Sequence, residues 1–456
     1  MIEVYVGSAA DRFLADLTKP FNSSGIAHDA RQTEAQSAKE KVEDVVKQFI
    51  ETVRTRGDQG IVEIATKLKD IPANESDATA SSVRADAAKA NRFLLSEAAI
   101  AAAVDQVDEA TRKTLQIAAE RIKEFGSAVV KSIKSTEVDC GEFQTGIDHR
   151  PVRRVACYVP SGRYPLPSTA LMTAVTAQVA GVEEIVIISP RLEKEIIYAG
   201  TIAGVKEFYQ IGGAQAVAAM AFGTETIRSV DMVVGPGNAY VTEAKRQLQG
   251  VIGIDMLAGP SEICVIADDN ADPNWLSLDL LSQAEHDPDA RAYLLTTNKS
   301  LAKKVAARII EDVKRLGLPD FLSESLAGSA ILVLDSIDQC CEAANKIAPE
   351  HLLLAVSNPE ELKLQLTNYG ALFLGYGCTV AFGDYMAGPN HTLPTNRSAK
   401  FQGCLSPLTF LRAQSWIRVK TQAPSLAVNT ADFANIEGLT AHAAAAKARA
   451  SCTTTK

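Results

Sequence analysis

Residues 184–189 read EIVIIS, four consecutive aliphatic side chains behind one carboxylate. A strand that is apolar at successive positions buries both of its faces, as strands do in a parallel sheet covered by helices on each side. Seven further runs share this texture: 207–211 (EFYQI), 230–234 (VDMVV), 263–267 (ICVIA), 292–297 (AYLLTT), 331–334 (ILVL), 351–356 (HLLLAV) and 371–374 (ALFL). Helix-patterned segments separate them, so the chain reads as α/β, with two Rossmann-like parallel-sheet domains plus small N- and C-terminal helical elements. One sheet rarely takes this many strands, which places boundaries near Val155 and Ile254. The expected division is an N-terminal arm 1–30, a first Rossmann-like domain made of 31–155 with 255–400, a second of 156–254, and a C-terminal tail 401–456. Upstream, Val42, Val45, Val46, Phe49, Ile50 and Val53 form a one-faced helical stripe closed by Gly57. Beyond Pro407 a helical tail is expected, with Pro424 in a loop and an alanine-rich helix from about Asp432.

The 456 residues carry 46 Lys plus Arg against 55 Asp plus Glu, a formal net charge of -9. No basic field exists to gather nucleic acid, and no membrane partner is expected. No apolar run approaches the ~18 residues of a membrane span, and Glu3, Asp11 and Arg12 interrupt the start where a signal peptide needs an apolar core, so a cytoplasmic location is expected. Eight cysteines without a CxxC pair read as small core residues. Six histidines are then the scarce chemical resource.

Asp272 and Pro273 make a helix start, a capping Asp with Pro at the first helical position. Gln283 and His286, three apart, share one face of that helix, either as a polar end meeting water or as half of a mixed N/O metal site. Gly383 and Asp384 open the loop GDYMAGPNHTLPT, which also carries His391, and the tail supplies Glu437 and His442 in EGLTAHA. Glu350 and His351 stand side by side at a strand entrance, where neighbours point to opposite faces and serve separate tasks, such as activating a water and moving a substrate proton. Two glycine turns, Gly212-Gly213-Ala214-Gln215 and Gly235-Pro236-Gly237-Asn238, each lead from a strand into a helix N-terminus, a place suited to phosphate although neither is GxGxxG. A third turn, Gly259-Pro260-Ser261-Glu262, offers a hydroxyl near the same rim.

Together the stretches CYVPSGRYPLPSTALM, GGAQAVAAMAFGTE, VVGPGNAYVTEAKRQ, IDMLAGPSE, DLLSQAEH, APEHLLL, GDYMAGPNHTLPT and EGLTAHA resemble the histidinol dehydrogenase family from about Tyr158 to His442. The resemblance implies a homodimer with exchanged end segments that oxidises an alcohol through the aldehyde to the acid with two NAD. It implies zinc on Gln283, His286, Asp384 and His442, the last reaching into the partner's site. Glu350 and His351 would be the acid/base pair, with Ser261, His351, Asp384, His391 and Glu437 on the substrate. Tyr158, Gln215 and Asn238 would bind NAD in the 156–254 domain. His28 and His149 receive no role.

Arg163 and Tyr164 in PSGRYPLPS, and a short KRQLQGVIGIDM segment, depart from the family's pattern and have the flavour of paralogues such as the sulfopropanediol dehydrogenases. The expectation therefore leans to an anionic diol, 2,3-dihydroxypropane-1-sulfonate oxidised to sulfolactate, with L-histidinol to L-histidine as the alternative. Arg163 would meet the sulfonate, unless it is a surface arginine or a cofactor phosphate contact. A zinc hydrolase that uses Glu350 on a metal-bound water, and an inactive binding protein, are the competing classes.

Overall fold

A computed structural model of the chain describes residues 2–17, 30–68, 93–161, 165–420 and 422–450. Two parallel sheets organise it. The six-stranded sheet runs Glu3–Val6, Ala330–Val333, Arg291–Thr296, Glu262–Ala267, His351–Ala355, Ala371–Leu374. The five-stranded sheet runs Glu207–Gln210, Glu184–Ser189, Arg154–Tyr158, Met232–Val234, Gly253–Ile254. Every neighbouring pair in both is parallel. Period-two alternation splits each strand between two cores. In the five-stranded sheet Val155 and Cys157 pack on one side, Ala156 and Tyr158 on the other. In the six-stranded sheet Ile263, Val265 and Ala267 face away from Cys264 and Ile266. Four of the cysteines, Cys157, Cys264, Cys340 and Cys341, are buried, and Cys140 is exposed. Cys452 and His28 lie outside the described residues.

The division of the chain differs from the expected one. The helices Ala30–Lys67 and Glu109–Ser132 belong to the five-stranded sheet, where Val46, Phe49, Val53, Ile61 and Ile64 share a core with Val217 and Met220, and Leu115 and Ile122 with Met172. The reason lies in the helices beneath them. Pro167–Ala180 and Gly213–Phe222 are buried on nearly every side, and a helix apolar all round needs a second layer outside it. Residues 2–17 are no free arm either: Glu3–Val6 is an edge strand, and Ala10 and Leu14 of the helix Ser8–Leu17 pack on the six-stranded sheet. Gly57, at φ 52 and ψ -133, leaves helical geometry and divides the span Ala30–Lys67 into two helices, closing the stripe as expected.

The tail also differs. Leu411–Val419 is a strand, paired antiparallel with Phe143–Pro151, itself paired with Thr136–Asp139. Leu411–Val419 stands largely exposed, so it has no buried face to imprint a hydrophobic pattern on the sequence. Pro424 opens the helix Pro424–Ile436, and Gly438, at φ 75, separates it from Thr440–Lys447. Among the described residues no helix is long and apolar enough to cross a membrane.

The helix Val380–Tyr385 is fastened to the helix Pro273–Ala284 by Thr379, whose hydroxyl donates to Asp279 Oδ1 at 2.6 Å. Asp279 is 6% exposed, and burial pushes its carboxyl up to about 6. A carboxyl that binds its proton more tightly folded than unfolded loses stability as pH rises from the unfolded value toward 6, then levels off. Asp279→Asn keeps an acceptor for Thr379 and removes that slope. The variant should gain on the order of 1 kcal/mol relative to the parent between pH 5 and pH 8, read by denaturant unfolding; parallel pH profiles would refute it.

Candidate active site

The helix Ile337–Ile347 ends on Ala348, held at φ 50, and Pro349 turns the chain so that Glu350 and His351 enter the sheet beside Glu262–Ala267. Parallel pairing sets the backbone of Glu262 between them. Its N–H donates to Glu350 Oε2 at 2.9 Å, and its carbonyl lies 3.1 Å from His351 Nδ1. A carbonyl only accepts, so Nδ1 carries a hydrogen and Nε2 is the working nitrogen. The two side chains, expected on opposite faces, instead approach each other at 3.5 Å between Nδ1 and Oε2. His351 is 3% exposed and its Nε2 has no hydrogen-bond partner among the described residues, lying 3.6 Å from Asp384 Oδ1. Burial alone would pull this imidazole down, but the charges of Glu350 and Asp384 outweigh it and raise it to about 10.

Gln283 and His286 are adjacent, though not on one continuous helix. The helix ends at Ala284, because Pro288 disfavours helical geometry at Asp287, and the His286 N–H closes a tighter turn onto Gln283 O at 3.2 Å. Gln283 is 1% exposed with Oε1 unpartnered among the described residues, whereas His286 is exposed. Asp384, expected in a loop, sits in the last turn of Val380–Tyr385. Burial raises its carboxyl, but His351, His391 and His286 together hold it below its usual value. The His391 Nδ1 lies 2.9 Å from Asp384 O, and burial lowers its imidazole. The segment that follows Asp384 is anchored on the other sheet unit, through Asn390 Nδ2 to Met172 O at 2.6 Å and Arg121 Nη1 to Met386 O at 3.0 Å.

The buried Gln283 Oε1 without a partner among the described residues, the Asp384 carboxylate and the exposed His286 imidazole form a donor set that fits a cation with mixed N/O ligands. Among the described residues no three His, Cys, Asp or Glu side chains gather to hold a metal. Glu437 and His442 are not brought to this place. Glu437 caps the helix Pro424–Ile436, and His442 stands exposed on Thr440–Lys447.

The five-stranded sheet reverses its strand order between Arg154–Tyr158 and Met232–Val234, the switch point at which open α/β sheets hold nucleotides beyond their carboxyl ends. Tyr158 ends the first of these strands, and its hydroxyl accepts the Gly213 N–H at 3.1 Å. Gly235 follows the second, and Asn238 caps the helix Ala239–Leu248 by accepting the N–H groups of Tyr240 and Val241, both at 3.1 Å. Gln215 is 2% exposed with its Oε1 unpartnered among the described residues. From Gly253–Ile254 the chain crosses through 255–261, with half-buried Ser261 at its end, to the amino end of Glu262–Ala267. That span bridges at most about 30 Å. Nucleotide-type turns on one sheet thus lie a short linker from the Glu350–His351 cluster on the other.

Arg163 lies outside the described residues. The sequence missed Glu262 as part of the site. Its own carboxyl accepts the Asn396 N–H at 3.1 Å and is raised by burial and the charge of Glu350 to about 7. The available signal was a carboxylate opening a continuously apolar strand, which must be desolvated. Asp279, Thr379 and Asn390 gave no comparable signal, because their partners are 100 and more residues away.

The family model described as histidinol dehydrogenase matches residues 32–450. A histidinol dehydrogenase of Methanopyrus kandleri is 40% identical over 418 residues, 89% of this chain and 93% of that protein. One of Agrobacterium fabrum is 42% identical over 419 residues, 90% of this chain and 93% of that protein. The crystal structure of histidinol dehydrogenase from Elizabethkingia anophelis covers 98% of both chains at 30% identity with a TM-score of 0.85. With two parallel sheets, a strand-order switch point and a buried Glu-His pair already in place, these matches settle the class: the chain belongs to the histidinol dehydrogenase family, NAD-dependent oxidoreductases acting on CH-OH groups.

Proposed function

We propose that this protein oxidises L-histidinol through the aldehyde to L-histidine, with two equivalents of NAD. The chemistry is carried by one observation, the buried His351 with Nε2 unpartnered beside Asp384 and its Nδ1 held by Glu262. The substrate is supported by relatives at 37% to 42% identity that bear the name histidinol dehydrogenase. The lean to 2,3-dihydroxypropane-1-sulfonate gives way to its alternative, and the hydrolase reading has nothing in its favour within a family of dehydrogenases.

Gln283, His286 and Asp384 would hold zinc, completed by His442 from a second copy of the chain. Zinc bound there supplies Lewis acidity toward the alcohol oxygen, and NAD takes the hydride in each oxidation. With Asp384 committed to a cation, Glu350 alone supports the imidazolium, and His351 Nε2 becomes able to accept the alcohol proton. Glu350 has Oε2 fixed by the Glu262 N–H, which leaves Oε1 to accept a proton from the water that attacks the aldehyde carbon. The resulting hydrate loses a second hydride to give the acid, so one alcohol, one water and two NAD yield one carboxylate, two NADH and three protons. Ser261, His391 and Glu437 would orient the substrate, and Tyr158, Gln215 and Asn238 the nucleotide. The exchange of ends is supported by the tail itself. Its two helices share only a small core of Ala431, Ala434, Ala443 and Ala446, and leave Val428, Phe433, Ile436 and Leu439 exposed.

L-Histidinol with NAD should give saturable growth at 340 nm with two NADH per histidine. Turnover of the sulfonate diol without turnover of histidinol would sink the substrate assignment. Glu350→Gln should lower kcat by about 10²- to 10⁴-fold while leaving NADH binding intact. Mixing inactive Asp384→Ala and His442→Ala chains should restore activity, because a heterodimer contains one complete shared site. Mixed dimers isolated with two tags yet still inactive would rule out the shared site.

A further inference from the structure

Lys245 and Asp255 are the most deeply buried ion pair among the described residues, at 2% and 0% side-chain exposure. Lys245 lies on the helix Ala239–Leu248, and Asp255 directly follows the last strand of the five-stranded sheet. Their partners converge on one residue. Asp255 Oδ2 accepts the Gly235 N–H at 2.7 Å, and Lys245 Nζ donates to the Gly235 carbonyl at 3.0 Å and to Asp255 Oδ1. Both polar groups of Gly235 are therefore taken, one by each member of the pair. The turn admits no side chain at Gly235. Its φ is 109, and a Cβ there would stand 2.3 Å from the carbonyl oxygen of Tyr158.

Removing a Lys and an Asp from water carries a desolvation cost for each ion, which a pair of apolar side chains at these positions would avoid. Asp255 Oδ1 also accepts the Met256 N–H at 2.7 Å, and Thr242 Oγ1 donates to Ala258 O at 2.9 Å. The same carboxylate thus ties the Gly235 turn to the linker that runs to Ser261 and Glu262.

We propose that Lys245 and Asp255 are positioning residues that hold the turn Gly235 to Asn238 in its nucleotide-binding shape before NAD arrives; this rests on the reading of that turn as part of the NAD site. The pair touches neither nucleotide nor substrate. Its contribution is preorganisation, so its loss appears in cofactor affinity and not in the metal or the alcohol.

The test uses the full-length, zinc-loaded enzyme as Lys245→Met, Asp255→Asn and the double variant, which leaves no uncompensated charge if a single change fails to fold. The KM for NAD and the Kd for NADH, followed by nucleotide fluorescence, should rise about tenfold or more together. The KM for histidinol and the zinc content should stay as in the parent, with kcat lowered less than threefold. A folded variant with unchanged NADH affinity, or one that loses kcat and both KM values alike, overturns the proposal. Hydrogen exchange on the unaltered enzyme without NAD supplies a measurement free of substitutions: the Gly235 amide should already be protected, and exchange that slows only on adding NAD overturns it. A parent enzyme that binds no NADH overturns the NAD reading and this proposal together, whereas a parent that binds alongside variants that bind equally overturns this proposal alone.

Discussion

The backbone of Glu262 is the constraint on which the candidate site depends. Its N–H and carbonyl hold Glu350 and His351, and both contacts exist because the strands Glu262–Ala267 and His351–Ala355 pair in parallel with a single register. A one-residue slip would turn His351 to the other face of the sheet and separate the pair. Apolar burial on both faces prevents the slip, since every residue from Ile263 to Ala267 is at 0% exposure. The chemistry is thus secured by the same packing that forms the core.

Electrostatics then set what this cluster can accept. Buried Glu350 and His351 stand against half-buried Glu262 and Asp384. The carboxylates of Glu350 and Asp384 hold the His351 imidazole charged, and a further positive charge is the natural complement. Gln283 Oε1 adds a neutral acceptor that meets no donor among the described residues. Such a group costs about 1–3 kcal/mol unless something satisfies it, which agrees with the cation proposed for this place.

The two sheet units contribute opposite ends. The five-stranded sheet offers the carboxyl ends of its strands, where helix N-termini and glycine turns favour phosphate, and the six-stranded sheet offers the amino ends, where Glu262, Glu350 and His351 enter. The linker 255–261 and the anchored segment 386–392 join these ends. A proposed hydride acceptor and a proposed proton acceptor therefore come from different folding units, each with its own core.

By itself the sequence determined the parallel strands, the Glu-His pair at a strand entrance and the glycine turns at strand ends, because each of these is local: continuous apolar runs, a residue pair, a Gly-Pro-Gly turn. It also carried motifs sufficient for a family resemblance. Only the tertiary structure decided that the upstream helices cover the five-stranded sheet, that Glu262 stands between Glu350 and His351, and that Asp279, Thr379, Lys245 and Asp255 brace the elements around them. Those contacts join residues from ten to more than a hundred positions apart, and nothing in either partner's neighbours specifies the other. The exposed strand Leu411–Val419 stayed hidden for the converse reason: a segment with no buried face in its own chain leaves no periodic signature to read.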